Sequence, residues 1–136
     1  MKRREFMGFG GAALLFPLAA WAGGPHQYKP GLVAGLLAEG KTVFVDFYTD
    51  WCVTCRAQGR AIEALRRDNP AYDANIEFVR VDWDVFSDSK IARTYNIPRR
   101  STLLLLRGDK ELGRIVAGTS RKKIRKLLTK GIKPEA

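Results

Sequence analysis

The sequence predicts an α/β fold: a central mixed four-stranded sheet flanked by helices on both faces. Three observations carry the prediction. Runs with helical spacing alternate with short β-branched or apolar runs, in the order αβαβαββα. The strand-like runs read as buried, which suits strands covered by helices. The last two are joined by Arg107-Gly108-Asp109-Lys110, a turn that makes them antiparallel partners. A length of 136 residues suits one domain, and an apolar share of 46% suits an ordinary core.

Residues 1–22 stand apart from this pattern. Met1-Lys2-Arg3-Arg4 is basic, residues 8–19 are weakly apolar, and Ala20-Trp21-Ala22 has the small-x-small form of a cleavage site. Together they read as a secretory signal peptide cut after Ala22. The apolar run is too short and too interrupted, by Pro17 among others, to span a membrane. Arg3-Arg4-Glu5-Phe6-Met7 resembles the twin-arginine export signal of bacteria, with Lys2 where Ser or Thr is usual. The other reading is a Sec signal. Both routes end in the periplasm, where disulfides can form. Residues 23–30 carry Gly, Pro and the single histidine, His26, and read as a solvated linker.

The domain proper is expected over residues 31–133. Leu32, Val33, Leu36 and Leu37 have helical spacing, and Gly40 is a C-terminal stop. Residues 42–48 form a β-branched and aromatic strand. The helix after Cys52 puts Val53, Ala57, Ala61, Ile62 and Leu65 on one face and ends at Asn69-Pro70. Residues 76–81 are a second buried strand. A short helix is expected over 87–95, capped by Ser87 or Asp88. Residues 102–106 form a central strand, and 111–117 return beside it. Gly118-Thr119-Ser120 then caps a basic last helix with Ile124, Leu127 and Leu128 on its apolar face.

The net charge of +10 admits nucleic acid, an anionic membrane or an acidic protein as partner. No zinc-finger spacing or aromatic-basic RNA signature is present, so nucleic acid is not expected. The last helix could lie on an anionic membrane, but the fold needs its narrow apolar face for the core.

Chemistry concentrates at Cys52 and Cys55, the only cysteines. A bridge spanning two residues gains little chain entropy, so a purely structural staple is a weak reading. A strand that turns into a helix with Cys-x-x-Cys at the joint reads as a thiol–disulfide redox site. Cys52 falls at the helix N-terminus, where free N–H groups and the dipole favour a thiolate. Cys55 follows one turn later on the same side. The spacing allows Cys52 to be the exposed attacker and Cys55 the more buried resolver. Asp46 stands among apolar strand residues. Burial would raise its pKa and let it take the proton of Cys55; a solvent-facing edge position is the alternative. Trp51 is either a shield over the disulfide or a core residue.

Val45-Asp46-Phe47-Tyr48-x-Asp50-Trp51-Cys52-Val53-x-Cys55 resembles the thioredoxin superfamily, and most of all the thioredoxin-like C-terminal domain of the DsbD electron transporters. The resemblance implies the thioredoxin-like fold. It also implies a buried acid at Asp46, a tryptophan ahead of the redox pair at Trp51, and Arg80 as a partner for Asp46. One departure stands out. The family places a cis-proline before its third strand, facing the disulfide. Here the alignment puts Ser101 at that position, with Pro98 three residues early. A non-proline cis bond is costly, so Ser101 is expected to be trans, and substrate docking by backbone pairing is in doubt. Arg99 and Arg100 would flank the site and, with Trp51 and Ser101, meet the substrate.

The expected function is therefore an extracytoplasmic thiol–disulfide oxidoreductase, a reductase of protein disulfides rather than an oxidant. Val53-Thr54 lacks the histidine of the family's strong oxidants. The expected partners are protein thiols and disulfides and a membrane electron donor of the DsbD or CcdA type, with the protein monomeric. No cofactor beyond the Cys52–Cys55 disulfide is expected, and no metal. The competing reading is a dimeric metal- or cluster-binding module that pools four thiolates.

Overall fold

The computed structural model describes residues 24–133; the signal peptide expected over 1–22 lies outside the described residues. In chain order the elements are β1 (His26–Gln27), α1 (Leu32–Ala38), β2 (Thr42–Tyr48), α2 (Val53–Asp68), α3 (Pro70–Asn75), β3 (Ile76–Asp82), α4 (Trp83–Phe86), α5 (Lys90–Thr94), β4 (Thr102–Arg107), β5 (Lys110–Val116) and α6 (Arg121–Ile132). The sheet order is β1-β3-β2-β4-β5. β1 and β2 run parallel to β3, whereas β4 is antiparallel to β2 and to β5. The sheet thus has five strands rather than four. The extra one is the two-residue β1, from the stretch expected to be linker, and its His26 Nε2 meets Glu77 Oε1 at 2.8 Å. Two residues carry no readable period, which is why this strand was not visible in the sequence.

β2 is central, and all seven of its residues are buried. Alternation sorts them onto two cores. Phe44 joins Ile62, Leu65, Phe78, Leu103, Leu105, Ile124 and Leu128 beneath α2 and α6. Val43, Val45 and Phe47 join Val33, Val81, Ile91, Leu104 and Leu106 beneath α1 and α5. Asp46 lies on the α2 side of this strand, in phase with Phe44 and Tyr48.

Gly40 ends α1 with φ 84, a left-handed conformation that glycine adopts without strain; Lys41 N–H returns to Leu36 O at 3.1 Å. Asn69-Pro70 does end α2, yet the chain stays helical: the Asn69 side chain accepts from Ala71 N–H and Pro70 opens α3. The single helix expected over 87–95 is two shorter ones. Asp82 caps α4, and Ser89, not Ser87 or Asp88, precedes α5. The face of α2 is also rotated from expectation. Val53 is 69% exposed, and Cys55, Gln58 and Ala64 join Ala61, Ile62 and Leu65 inside.

Candidate active site

The site is built where β2 hands over to α2. Cys52 is the N-cap of that 16-residue helix, with extended backbone, and its Sγ accepts the Cys55 N–H at 3.2 Å. A sulfur thus fills the capping position that an oxygen usually occupies. The uncapped N–H groups and the helix dipole favour its anionic form. Cys55, one turn on, is inside the helix. Both cysteines are free rather than bridged and both are buried, at 4% and 2% exposure. The exposed attacker and buried resolver of the sequence reading are therefore not separated by exposure. Electrostatics separates them. Burial pushes the Cys52 thiol up, but hydrogen bonds from the Cys55 thiol, the Ser101 hydroxyl, the Cys55 N–H and the Arg100 side chain outweigh it and bring it down to about 6. Burial and the neighbouring Cys52 hold Cys55 above its ordinary value.

Ser101 faces the pair from the loop before β4. Its Oγ lies 3.0 Å from Cys55 Sγ and 3.3 Å from Cys52 Sγ, and the residue is fully buried. No peptide bond among the described residues is cis, so Ser101 sits on a trans bond, with φ 67. Its N–H donates to Phe47 O at 2.6 Å, and its carbonyl accepts from Ala117 N–H at 2.8 Å. That carbonyl also accepts from Gln58 Nε2 at 3.0 Å. The Arg99 Nε donates to the Arg100 carbonyl at 2.9 Å. The Ser101 N–H and carbonyl and the Arg100 carbonyl are thus engaged from within the chain.

Arg100 lies with its guanidinium 4.4 Å over the Trp51 ring, and the Trp51 Nε1 donates to Asp84 Oδ2 at 2.9 Å. Trp51 is 58% exposed and is not a core residue. It stands beside the redox pair as part of an Arg100–Trp51–Asp84 stack. Val53 and Val85 are likewise exposed.

Asp46 is 5% exposed. Parallel pairing of β2 with β3 sets it opposite Arg80, whose Nε approaches Asp46 Oδ2 at 3.7 Å while its guanidinium covers the Tyr48 ring at 3.6 Å. Burial raises the Asp46 carboxyl to about 6, with Arg80 opposing the shift and Cys52 adding to it. Asp46 Oδ1 has no hydrogen-bond partner among the described residues. Asp46 and Cys55 both line a cavity of about 530 Å³, floored by Phe44 and Phe78 and walled by Arg56 and Arg60. A carboxylate with a free oxygen that lines the same cavity as a thiol of raised pKa can take up that thiol's proton, directly or through one water.

Three side chains of this site were missed in the sequence. Tyr48 packs with both cysteines in a small buried cluster. Gln58, fully buried, donates to the carbonyls of Ser101 and Gly118. Asp84 holds Trp51. Gln58 had a legible signal: an uncharged polar residue three positions after Cys55, on the same helix face. Asp84 had none, because only the tertiary fold brings it near. Among the described residues, no three His, Cys, Asp or Glu side chains are grouped as a metal would need.

Comparison with known proteins gives a consistent picture. Residues 32–130 match the thioredoxin family model. The chain is 35% identical over 94 residues to mitochondrial thioredoxin-2 of Schizosaccharomyces pombe, covering 69% of this chain and 65% of that protein. It is 30% identical to a thioredoxin of Chlamydia trachomatis, covering 71% of this chain and 88% of that one. Among solved structures, Trxlp of Edwardsiella tarda superposes with a TM-score of 0.68 at 27% identity, over 77% of this chain and 98% of that one.

Proposed function

The chain belongs to the thioredoxin family of thiol–disulfide oxidoreductases, and from that premise we propose that it reduces protein disulfides outside the cytoplasm. The observation that carries the chemistry is the pairing of a lowered Cys52 with a raised Cys55 at one helix terminus. The Cys52 thiolate attacks one sulfur of a partner disulfide. A Cys52–partner bond forms and the other partner sulfur leaves as a thiolate. Cys55 then gives its proton to Asp46, and its thiolate attacks Cys52 Sγ. The Cys52–Cys55 bond forms, the mixed disulfide breaks and the second partner thiolate departs. The partner disulfide gains two electrons, and the protein dithiol loses them.

Export is supported by the basic start, weakly apolar run and Ala20-Trp21-Ala22 of residues 1–22. In an oxidising periplasm the dithiol must be regenerated, which calls for a membrane electron donor of the DsbD or CcdA type. A monomeric protein is part of this reading, and helices over both faces of the sheet are in keeping with it.

The test has two arms. Purified protein, given a dithiol reductant, should accelerate reduction of insulin disulfides. Cys55→Ser should stop turnover and accumulate a reducible covalent complex through Cys52. Absence of both would exclude the oxidoreductase reading. Cell fractionation of the full chain should place it in the periplasm, and Arg3→Lys with Arg4→Lys should hold a twin-arginine substrate inside. Cytoplasmic location of the unaltered chain would refute export.

A further inference from the structure

We infer that Ser101 is a catalytic residue that poises the redox equilibrium of the Cys52–Cys55 pair, its hydroxyl bridging both sulfurs in the dithiol state while Gln58 positions it. The inference rests on the thiol–disulfide reading above and goes beyond it, because it assigns a direction to the potential and a device that sets it.

A serine hydroxyl has one hydrogen and two lone pairs. Between a Cys52 thiolate and a Cys55 thiol these can be used in opposite senses. With Cys52 as the thiolate, the sense we assign is Oγ–H donating to Cys52 Sγ at 3.3 Å, while the one Cys55 hydrogen, its sulfur 3.0 Å from Oγ, is shared between that oxygen and Cys52 Sγ. Both contacts depend on the dithiol. Once the disulfide forms, Cys52 carries no charge and Cys55 no hydrogen. The first contact weakens and the second disappears. The hydroxyl is fully buried and has no water-exposed alternative. Loss of these bonds disfavours the oxidised state, so Ser101 raises the reduction potential and makes the pair a milder reductant than it would be without the hydroxyl. The same contact favours the Cys52 thiolate, in keeping with its lowered pKa. Rate of attack and strength as a reductant are therefore set against each other at one atom.

The backbone argues the same way. Ser101 has φ 67, a conformation that costs free energy for any residue with a Cβ and none for glycine. The two sulfur contacts of its hydroxyl give this position a use for a side chain that glycine lacks. Three bonds hold the strained backbone: Ser101 N–H to Phe47 O, Ala117 N–H to Ser101 O, and Gln58 Nε2 to Ser101 O. Gln58 also donates to Gly118 O at 2.9 Å. It lies on the helix that carries both cysteines and ties that helix to the loop bearing Ser101. Neither leucine nor glutamate could supply the two N–H donors.

The test is a glutathione redox titration together with the pH dependence of thiolate ultraviolet absorbance. It compares the unaltered protein with Ser101→Ala, Ser101→Gly and Gln58→Leu. Loss of a hydrogen bond to a charged group should shift the dithiol–disulfide equilibrium toward disulfide by about tenfold to a hundredfold, a potential lower by about 30 to 60 mV. The Cys52 titration should move up in the same variants. Ser101→Gly relieves the backbone strain while removing the hydroxyl. Its shift must match that of Ser101→Ala if the hydroxyl is the cause. Gln58→Leu should move potential and titration the same way by less, because the hydroxyl stays but its position loosens. An unchanged or raised potential in both Ser101 variants would overturn the inference while insulin reduction kept the oxidoreductase reading. A Gln58→Leu protein that loses only thermal stability would overturn the positioning role. An unaltered protein that neither titrates with glutathione nor reduces insulin would overturn both readings.

Discussion

Asp46 and Cys52 pull the stability of the reduced protein in opposite directions with pH. Asp46 titrates near 4 when unfolded and at about 6 when folded, so the folded state holds its proton longer. Its contribution is most favourable below pH 4 and is lost as pH rises through 6. Cys52 titrates near 8.5 when unfolded and at about 6 when folded. Its contribution is fully present above about 8.5 and is lost as pH falls through 6. Denaturant unfolding of the reduced protein should therefore show a stability minimum near pH 6. Asp46→Asn should remove the acid limb and stabilise the protein at pH 7 by about 3 kcal/mol, since two pKa units of unfavourable burial disappear. It should also slow release of the mixed disulfide, because the proton acceptor for Cys55 is gone. Stopped-flow resolution and urea titrations check the two halves. The register of parallel β2 and β3 sets Asp46 opposite Arg80, the partner that the resemblance implies for it. Sequence reading could not find Tyr48 beside the sulfurs or Asp84 under Trp51, because these contacts depend on where loops and the short α4 settle.

At the scale of elements, α2 shows where periodicity succeeds and where it misleads. The apolar positions Ala61, Ile62 and Leu65 are buried, but the first turn is governed by chemistry rather than hydropathy. Val53 faces solvent while Cys55 and Gln58 turn inward, because the cysteine cap fixes the entry of the chain. The last helix obeys its pattern throughout: Ile124, Leu127 and Leu128 are buried, the expected fate of its apolar stripe. Gly131 near its end had no expected role. A Cβ there would lie 2.8 Å from Ile76 Cδ1 and 3.1 Å from Ile76 Cγ1, and the Gly131 carbonyl accepts from Arg107 Nη2 at 3.0 Å. Gly131→Ala should therefore destabilise by about 1 to 3 kcal/mol through overpacking, despite alanine's better helix propensity. Thermal unfolding measures this directly, and stabilisation would show that Ile76 can yield.

At the scale of the molecule, five strands divide the chain into two cores, and the redox pair sits at the end of β2 between them. The full chain carries +10, of which residues 1–22 supply +2 (Lys2, Arg3, Arg4 against Glu5); the positive remainder, with Arg100 close to Cys52, should steer acidic partners to the site. The rate constant for reducing an acidic protein disulfide should fall roughly tenfold from low to physiological ionic strength, and a basic one should show the reverse trend. A rate independent of salt for both would remove the charge from substrate choice. No helix among the described residues is long and apolar enough to cross a membrane.

The local sequence determined the order of the main elements and the Cys-x-x-Cys where a buried strand runs into a helix; that β2 rather than β4 is the middle strand was decided by the fold. The first two follow from the pattern along the chain: a continuous β-branched and aromatic run in β2, period three to four in α2 and α6, and Cys-x-x-Cys between β2 and α2. Tertiary structure decided which groups surround the sulfurs. Ser101 is 49 positions from Cys52, and Gly118 is 60 from Gln58. Such contacts arise only when β4 and β5 dock beside β2, and they fix a serine hydroxyl between the two thiols. The sequence marked position 101 as a departure. The fold turned that departure into a specific pair of hydrogen bonds, because packing of distant strands, not local propensity, sets what faces a reactive sulfur.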